Sequence, residues 1–152
     1  MRTAVVGAGA MGGLFGGLLA ENKEDVILVD NHKERVDRIN HYGLKIKSAG
    51  GDRIIKVRAI NDPCEVGLVD LVIMAVKSYD TKQAVRDILP ILSHDTSILT
   101  IQNGLGNIEA ISEVVGSEHV VGGLTMQAST LIGLGEVFHA GKGATIIGEL
   151  DS

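Results

Sequence analysis

Three glycines in Gly7-Ala8-Gly9-Ala10-Met11-Gly12 have the spacing of a phosphate cradle. In such a loop the first glycine makes the sharp turn out of a strand. The second lets backbone approach a pyrophosphate with no Cβ in the way, and the third lets the next helix lie against the strand. N–H groups opening that helix point at the anion, and the helix dipole favours its charge. Asp30 stands eighteen residues after Gly12, near the ~20-residue offset at which a carboxylate receives the ribose hydroxyls of NAD and repels a 2′-phosphate. Asp30 also suits a helix cap, just before Asn31 and His32, and His32, Lys33 and Arg35 nearby suit a phosphate instead. Lys77 can pair with a phosphate or carboxylate, or stand solvated at a strand end. Asn103 can donate and accept at once, which suits a carboxamide, hydroxyl or carbonyl, although Asn103-Gly104 is equally a favoured turn pair.

The elements that must position these residues are legible in the hydropathy pattern. Thr3–Val6 and Asp25–Asp30 read as buried strands, separated by a helix over Ala10 to about Glu21 and followed by a surface helix, His32–Asn40, ending near Gly43. Leu44–Lys47 and Arg53–Val57 alternate about Gly50-Gly51 and read as a hairpin with one wet face, flanking or inserted into the α/β core. Asp70–Val76 is the strongest buried-strand signal. A helix over Thr81–Leu89, a strand over Ser97–Ile101 and a helix over Asn107–Val115 follow. Beyond His119 the pattern is β-rich: Val120–Leu124, then Gly133–Phe138 and Ala144–Gly148 as parts of an antiparallel meander turning at Gly141–Gly143. The fold class is therefore α/β, a Rossmann-type doubly wound and mainly parallel sheet with an antiparallel β-rich C-terminal part. In such sheets ligands bind beyond the carboxyl ends of the strands, which puts Lys77 and Asn103 on the same rim as Gly7–Gly12.

Composition narrows the function classes. The 152 residues carry a net charge of −5, no basic block, and only two Tyr, two Phe and no Trp, which argues against nucleic-acid binding by phosphate neutralisation or base stacking. Cys64 is the single cysteine, so no disulfide framework and no zinc cluster are expected, and Cys64 itself reads as a small half-buried residue. With no apolar run of eighteen residues or signal-peptide pattern, no membrane span is expected and the cytoplasm is the default location.

Four segments make a resemblance specific: VVGAGAMGGLFGGLLA at 5–20, AVKSYDT at 75–81, IQNGLGNIE at 101–109 and GATIIGE at 143–149. In these the chain resembles the N-terminal half of the ketopantoate reductases (2-dehydropantoate 2-reductases). The resemblance implies reduction of ketopantoate to pantoate, on the way to pantothenate and coenzyme A, with NADPH in most members. It implies a Rossmann domain followed by a helical domain that supplies a catalytic lysine and an acidic residue gripping the substrate. Carried over by position, Gly7, Gly9 and Gly12 match the pyrophosphate loop, Lys77 matches a lysine of the cofactor pocket near the adenosine phosphate, and Asn103 matches an asparagine that faces nicotinamide and substrate; Ala8, Ala10 and Met11 within the loop, and Asp30 and Asn31 after the second strand, complete the candidate cofactor-binding residues. No arginine stands at the place where the family usually reads the 2′-phosphate, so NADP(H) follows from the resemblance while Asp30 favours NAD(H).

Since nothing follows Ser152, residues 1–152 are expected to be the dinucleotide-binding domain alone, with the helical domain and its general-acid lysine missing or separate. Such a chain is expected to bind dinucleotide without turning over ketopantoate by itself. Two rival readings remain: a non-catalytic nucleotide-binding or redox-sensing module, and the first domain of a related 2-keto or 3-hydroxy acid dehydrogenase. The apolar stretch Val120–Phe138, with Leu124, Met126, Leu131 and Ile132, is expected to be exposed where a second domain docks or where copies self-associate.

Overall fold

The computed structural model describes residues 1–150; Asp151 and Ser152, at the end of the expected domain, lie outside the described residues. Strands β1 (Arg2–Val6), β2 (Asp25–Val29), β5 (Arg58–Ile60), β6 (Val69–Met74), β7 (Leu92–Thr100), β8 (Val120–Thr125) and β11 (Thr145–Glu149) form one sheet in the order β11-β8-β7-β6-β1-β2-β5. All its pairings are parallel except β11 on β8. The apolar runs of β1, β2 and β6 are unbroken because both faces are covered. Ala4, Val6, Ile27, Val29, Val72 and Met74 pack to one side, and Val5, Val26, Leu28 and Ile73 to the other.

A second sheet, in the order β4-β3-β10-β9, is built from β3 (Leu44–Ser48), β4 (Arg53–Ile55), β9 (Ala128–Gly133) and β10 (Glu136–Gly141). Helix α1 (Ala10–Glu21) lies between the two sheets, and its buried glycines explain how. A Cβ on Gly16 would stand 2.2 Å from Leu28 of the main sheet, and one on Gly17 would stand 2.7 Å from Ile46 of the small sheet. Adjacent glycine stripes therefore let both sheets approach one helix. Helices α2 (Lys33–Tyr42), α3 (Thr81–Asp87) and α4 (Asn107–Val115) complete the layers.

Three expectations are corrected. Arg53–Val57 is not one strand: residues 53–55 pair with β3 in the small sheet, and the chain then crosses to place β5 beside β2. Nor do the last strands form a meander, because β10 pairs with β9 and β3 whereas β11 returns to the edge of the main sheet against β8. Cys64 is exposed rather than half-buried, and the neighbouring Asp62 carboxylate, hydrogen-bonded and negatively charged, raises its thiol above the ordinary value.

The expected apolar face is exposed, with Leu124 at 64% and Met126 at 60%, and Leu131 and Ile132 also open. Ile146, opposite Leu124 on β11, extends it. Among the described residues no helix is long and apolar enough to cross a membrane. No group of three or more His, Cys, Asp or Glu there could hold a metal ion.

Candidate dinucleotide site

The chain reverses direction across the sheet between β1 and β6. From β1 it runs outward through β2 to β5, then returns to β6 on the other side. A crevice opens beyond the carboxyl ends of the two strands, the position at which open α/β sheets bind ligands. Gly7 caps β1 at φ +96°, its N–H donating to Val29 O at 2.8 Å. Ala75 N–H donates to Val6 O at 2.9 Å, so the turn leading to Lys77 leaves the sheet beside the glycine loop.

The crevice is a cavity of about 690 Å³. Gly7, Gly9, Ala10 and Met11 line its floor; Asp30, Asn31 and Arg35 line one end; Lys77 and Asn103 lie on the opposite side. Ala8 and Gly12 are not in the lining. Gly12 packs under the loop, where a Cβ would stand 1.7 Å from Gly7 O. A Cβ on Gly9, by contrast, would meet nothing within 4 Å. The bare backbone at Gly9 thus faces the cavity, and α1 begins there with no side-chain cap and no acidic residue in its first turn. Its opening N–H groups suit a diphosphate, so the residues present fit a dinucleotide.

Asp30 is more heavily engaged than its position in the sequence reveals. It is buried, 5% exposed. Its carboxylate accepts from Ala8 N–H at 2.6 Å, from His32 N–H at 2.8 Å, and from Arg35 Nη1 at 2.9 and 2.8 Å. A carboxylate offers about four lone-pair positions, so these four contacts use its capacity. Asp30 therefore ties the glycine loop to the start of α2, and a ribose diol reaching it must take over the bonds made by Arg35.

A polar network positions Asn103. Gln102 Nε2 donates to Val76 O at 2.8 Å and to Thr81 Oγ1 at 2.7 Å, while Thr81 Oγ1 donates to Asn107 Oδ1 at 3.2 Å. Asn103 O accepts from Ser78 Oγ at 2.9 Å and from Asn107 Nδ2 at 3.1 Å. With its carbonyl held from both sides, Asn103 keeps its exposed amide on the cavity rim. Gly104 and Gly106, at φ +97° and +86°, provide the backbone turn that brings Asn107 underneath. Sequence reasoning missed Gln102, Thr81 and Asn107 as supports, and it missed Asn61, Ser129, Thr130 and Leu131 as lining. None sits in a spacing that signals a role; only the fold of the small sheet over α1 brings β9 to the cavity.

Comparison with known proteins decides the family. Residues 3–152 match the family described as ketopantoate reductase PanE/ApbA. The chain belongs to that family. The 2-dehydropantoate 2-reductase of Pyrococcus abyssi is 40% identical over 148 residues, covering 97% of this chain and 47% of that protein. The structure of 2-dehydropantoate 2-reductase from Geobacter metallireducens GS-15 superimposes with a TM-score of 0.91 at 38% identity, covering 98% of this chain and 49% of the other. D-mandelate dehydrogenase, solved with NADH and anilino(oxo)acetate, gives a TM-score of 0.87 at 31% identity, with 97% and 47% covered. This member of the ketopantoate reductase family thus spans about half the length of the curated relatives it matches.

Proposed function

We propose that this chain is the dinucleotide-binding half of a 2-dehydropantoate 2-reductase, which reduces ketopantoate to pantoate with NAD(P)H in the supply of pantothenate. The observation that carries the reading is the bare Gly9 backbone at the start of α1, opening on a cavity that runs from Asp30 to Asn103. Residues 1–152 form the nucleotide domain in this reading, and a helical second domain supplies the proton donor and grips the substrate. The exposed Leu124–Ile146 face suits docking of that domain or, in its place, a second copy of the chain. A reducing cytoplasm suits the free, exposed Cys64. When bound, the reduced nicotinamide supplies the hydride for the 2-keto carbon. The chain's own residues hold the diphosphate at Gly9–Met11, and Asn103 orients nicotinamide and substrate on the rim. A second reading, reduction of a different 2-keto acid, is favoured by the similarity to D-mandelate dehydrogenase.

The Asp30–Arg35 pair bears on the choice of nucleotide. A ribose diol can replace the two bonds from Arg35 and leave Asp30 held by Ala8 and His32. A 2′-phosphate needs Arg35 freed and Lys77 within reach, and it is repelled by the carboxylate left behind. Calorimetric titration with both reduced nucleotides should therefore show NADH binding about tenfold tighter than NADPH, a difference of about 1.4 kcal/mol. Tighter NADPH binding would refute the role of Asp30, and absence of binding by either would refute the function.

A further inference from the structure

The cavity has a wall that the reading above does not use. Asp80, Gln83, Ala84 and Asp87 all line it. They follow one another at i, i+3, i+4 and i+7, so one face of α3, with the residue just before it, looks onto the cavity. Asn61 and Pro63, just beyond β5, line the cavity too. Asn61 Nδ2 donates to Asp30 O at 2.8 Å, which sets this segment beside Asp30. Past Asp30 the cavity therefore continues into a space bounded by Asn61 and Pro63 from one segment and by the α3 face from another. Pro63 and Ala84 are half-buried and offer apolar walls to a flat ring, whereas Gln83 and Asp87 are exposed and give that space a polar edge.

A hydrogen bond along α3 sets the chemistry of that edge. Gln83 Nε2 donates to Asp87 Oδ1 at 2.7 Å. An ionised carboxylate only accepts, so the amide of Gln83 is held with its NH2 group on Asp87, and its Oε1 is left as an acceptor. Both residues line the cavity, and an acceptor at this edge selects a ligand group that donates N–H or O–H.

Position in the fold identifies that group. With the diphosphate at Gly9–Met11 and the ribose at Asp30, the purine comes next, in the space beside Asn61 and the α3 face. Purines differ at their 6-position: adenine carries an amino group there, a donor, whereas a 6-oxopurine carries an acceptor. We infer that Gln83 Oε1 accepts a hydrogen bond from the 6-amino group of adenine and so selects adenine over 6-oxopurines, with Asp87 as the positioning residue that fixes the Gln83 amide. This inference rests on the dinucleotide reading above.

The test titrates the chain with NADH and with reduced nicotinamide hypoxanthine dinucleotide, in which a 6-oxopurine replaces the adenine. The wild-type chain should bind NADH about tenfold more tightly, since one ligand gains a hydrogen bond where the other sets acceptor against acceptor. Gln83→Ala should bring the two ligands within about twofold of each other, chiefly by weakening NADH. Asp87→Ala, which frees the Gln83 amide to turn, should lower the preference as well. The double variant Gln83→Glu with Asp87→Asn exchanges acceptor and donor within the pair: the new amide donates to the new carboxylate, whose second oxygen still accepts from the base. It should keep the preference at about tenfold, a base-dependent result that a merely structural role for the pair would not give. Equal affinity of the wild-type chain for the two dinucleotides, an undiminished preference in either single variant, an equal loss of both ligands in Gln83→Ala, or loss of the preference in the double variant would overturn the inference. Wild-type protein that binds neither dinucleotide would instead overturn the dinucleotide reading on which it rests.

Discussion

Replacing Gly12 by alanine is expected to destabilise the domain by about 3 kcal/mol and to abolish dinucleotide binding with it. The added methyl would stand 1.7 Å from Gly7 O, 2.9 Å from Gly7 C and 3.1 Å from Ala75 Cβ. Two of those atoms are backbone, so no side-chain rotation relieves the clash. Either α1 lifts off β1 or the Gly7 turn moves, and both change the floor of the cavity. Chemical denaturation measures the loss. A variant within about 0.5 kcal/mol of wild type, the range usual for harmless surface changes, would show that α1 does not lie against β1 as described.

Asp30→Ala should be nearly as costly, for an electrostatic reason. The substitution takes the acceptor from Ala8 N–H inside the glycine loop and from His32 N–H at the start of α2, and it leaves the Arg35 guanidinium without its partner. The Arg35 side chain is only 16% exposed. Removing one member of a buried pair strands the other charge, at about 3–5 kcal/mol. The lower end, about 3 kcal/mol, is expected here because Arg35 retains some solvent. Denaturation of Asp30→Ala, Arg35→Ala and the double variant should show strong non-additivity, with the double variant no worse than Asp30→Ala. Additive losses would mean that the two residues act separately. The result also bears on function, because a carboxylate that holds the loop together at rest is a different device from one that waits free for a ribose.

Much of this fold was legible from the sequence because its signals are local. Both-face burial writes β1, β2 and β6 as unbroken apolar runs, and α4 begins and ends at Asn107 and Val115 as the pattern predicts. Gly7, Gly9 and Gly12 lie where the strand–turn–helix reading puts them, although only Gly7 and Gly9 reach the cavity. The pairings that failed are nonlocal. Nothing in Ala144–Gly148 reveals that its partner is Val121–Thr125 rather than β10, and three-residue β5 is too short to carry a period. The site divides in the same way. Its glycine loop is a contiguous string, whereas the contacts of Asp30 depend on Arg35 turning back from α2, and Ser129 reaches the cavity lining only because the small sheet folds over α1. Both were invisible until the chain was folded.

In the proposed function a dinucleotide lies across the bare backbone at Gly9. Isothermal titration of the wild-type chain and Gly9→Ala with NADH tests it most directly. Gly9 has φ −75°, and its Cβ position is clear of every protein atom within 4 Å, so the variant should fold with wild-type stability. Wild type is predicted to bind one NADH saturably, and Gly9→Ala to bind at least about tenfold more weakly, because its methyl occupies the space of the diphosphate. No binding by the folded wild-type chain, or equal affinity in the two proteins, would contradict the claim.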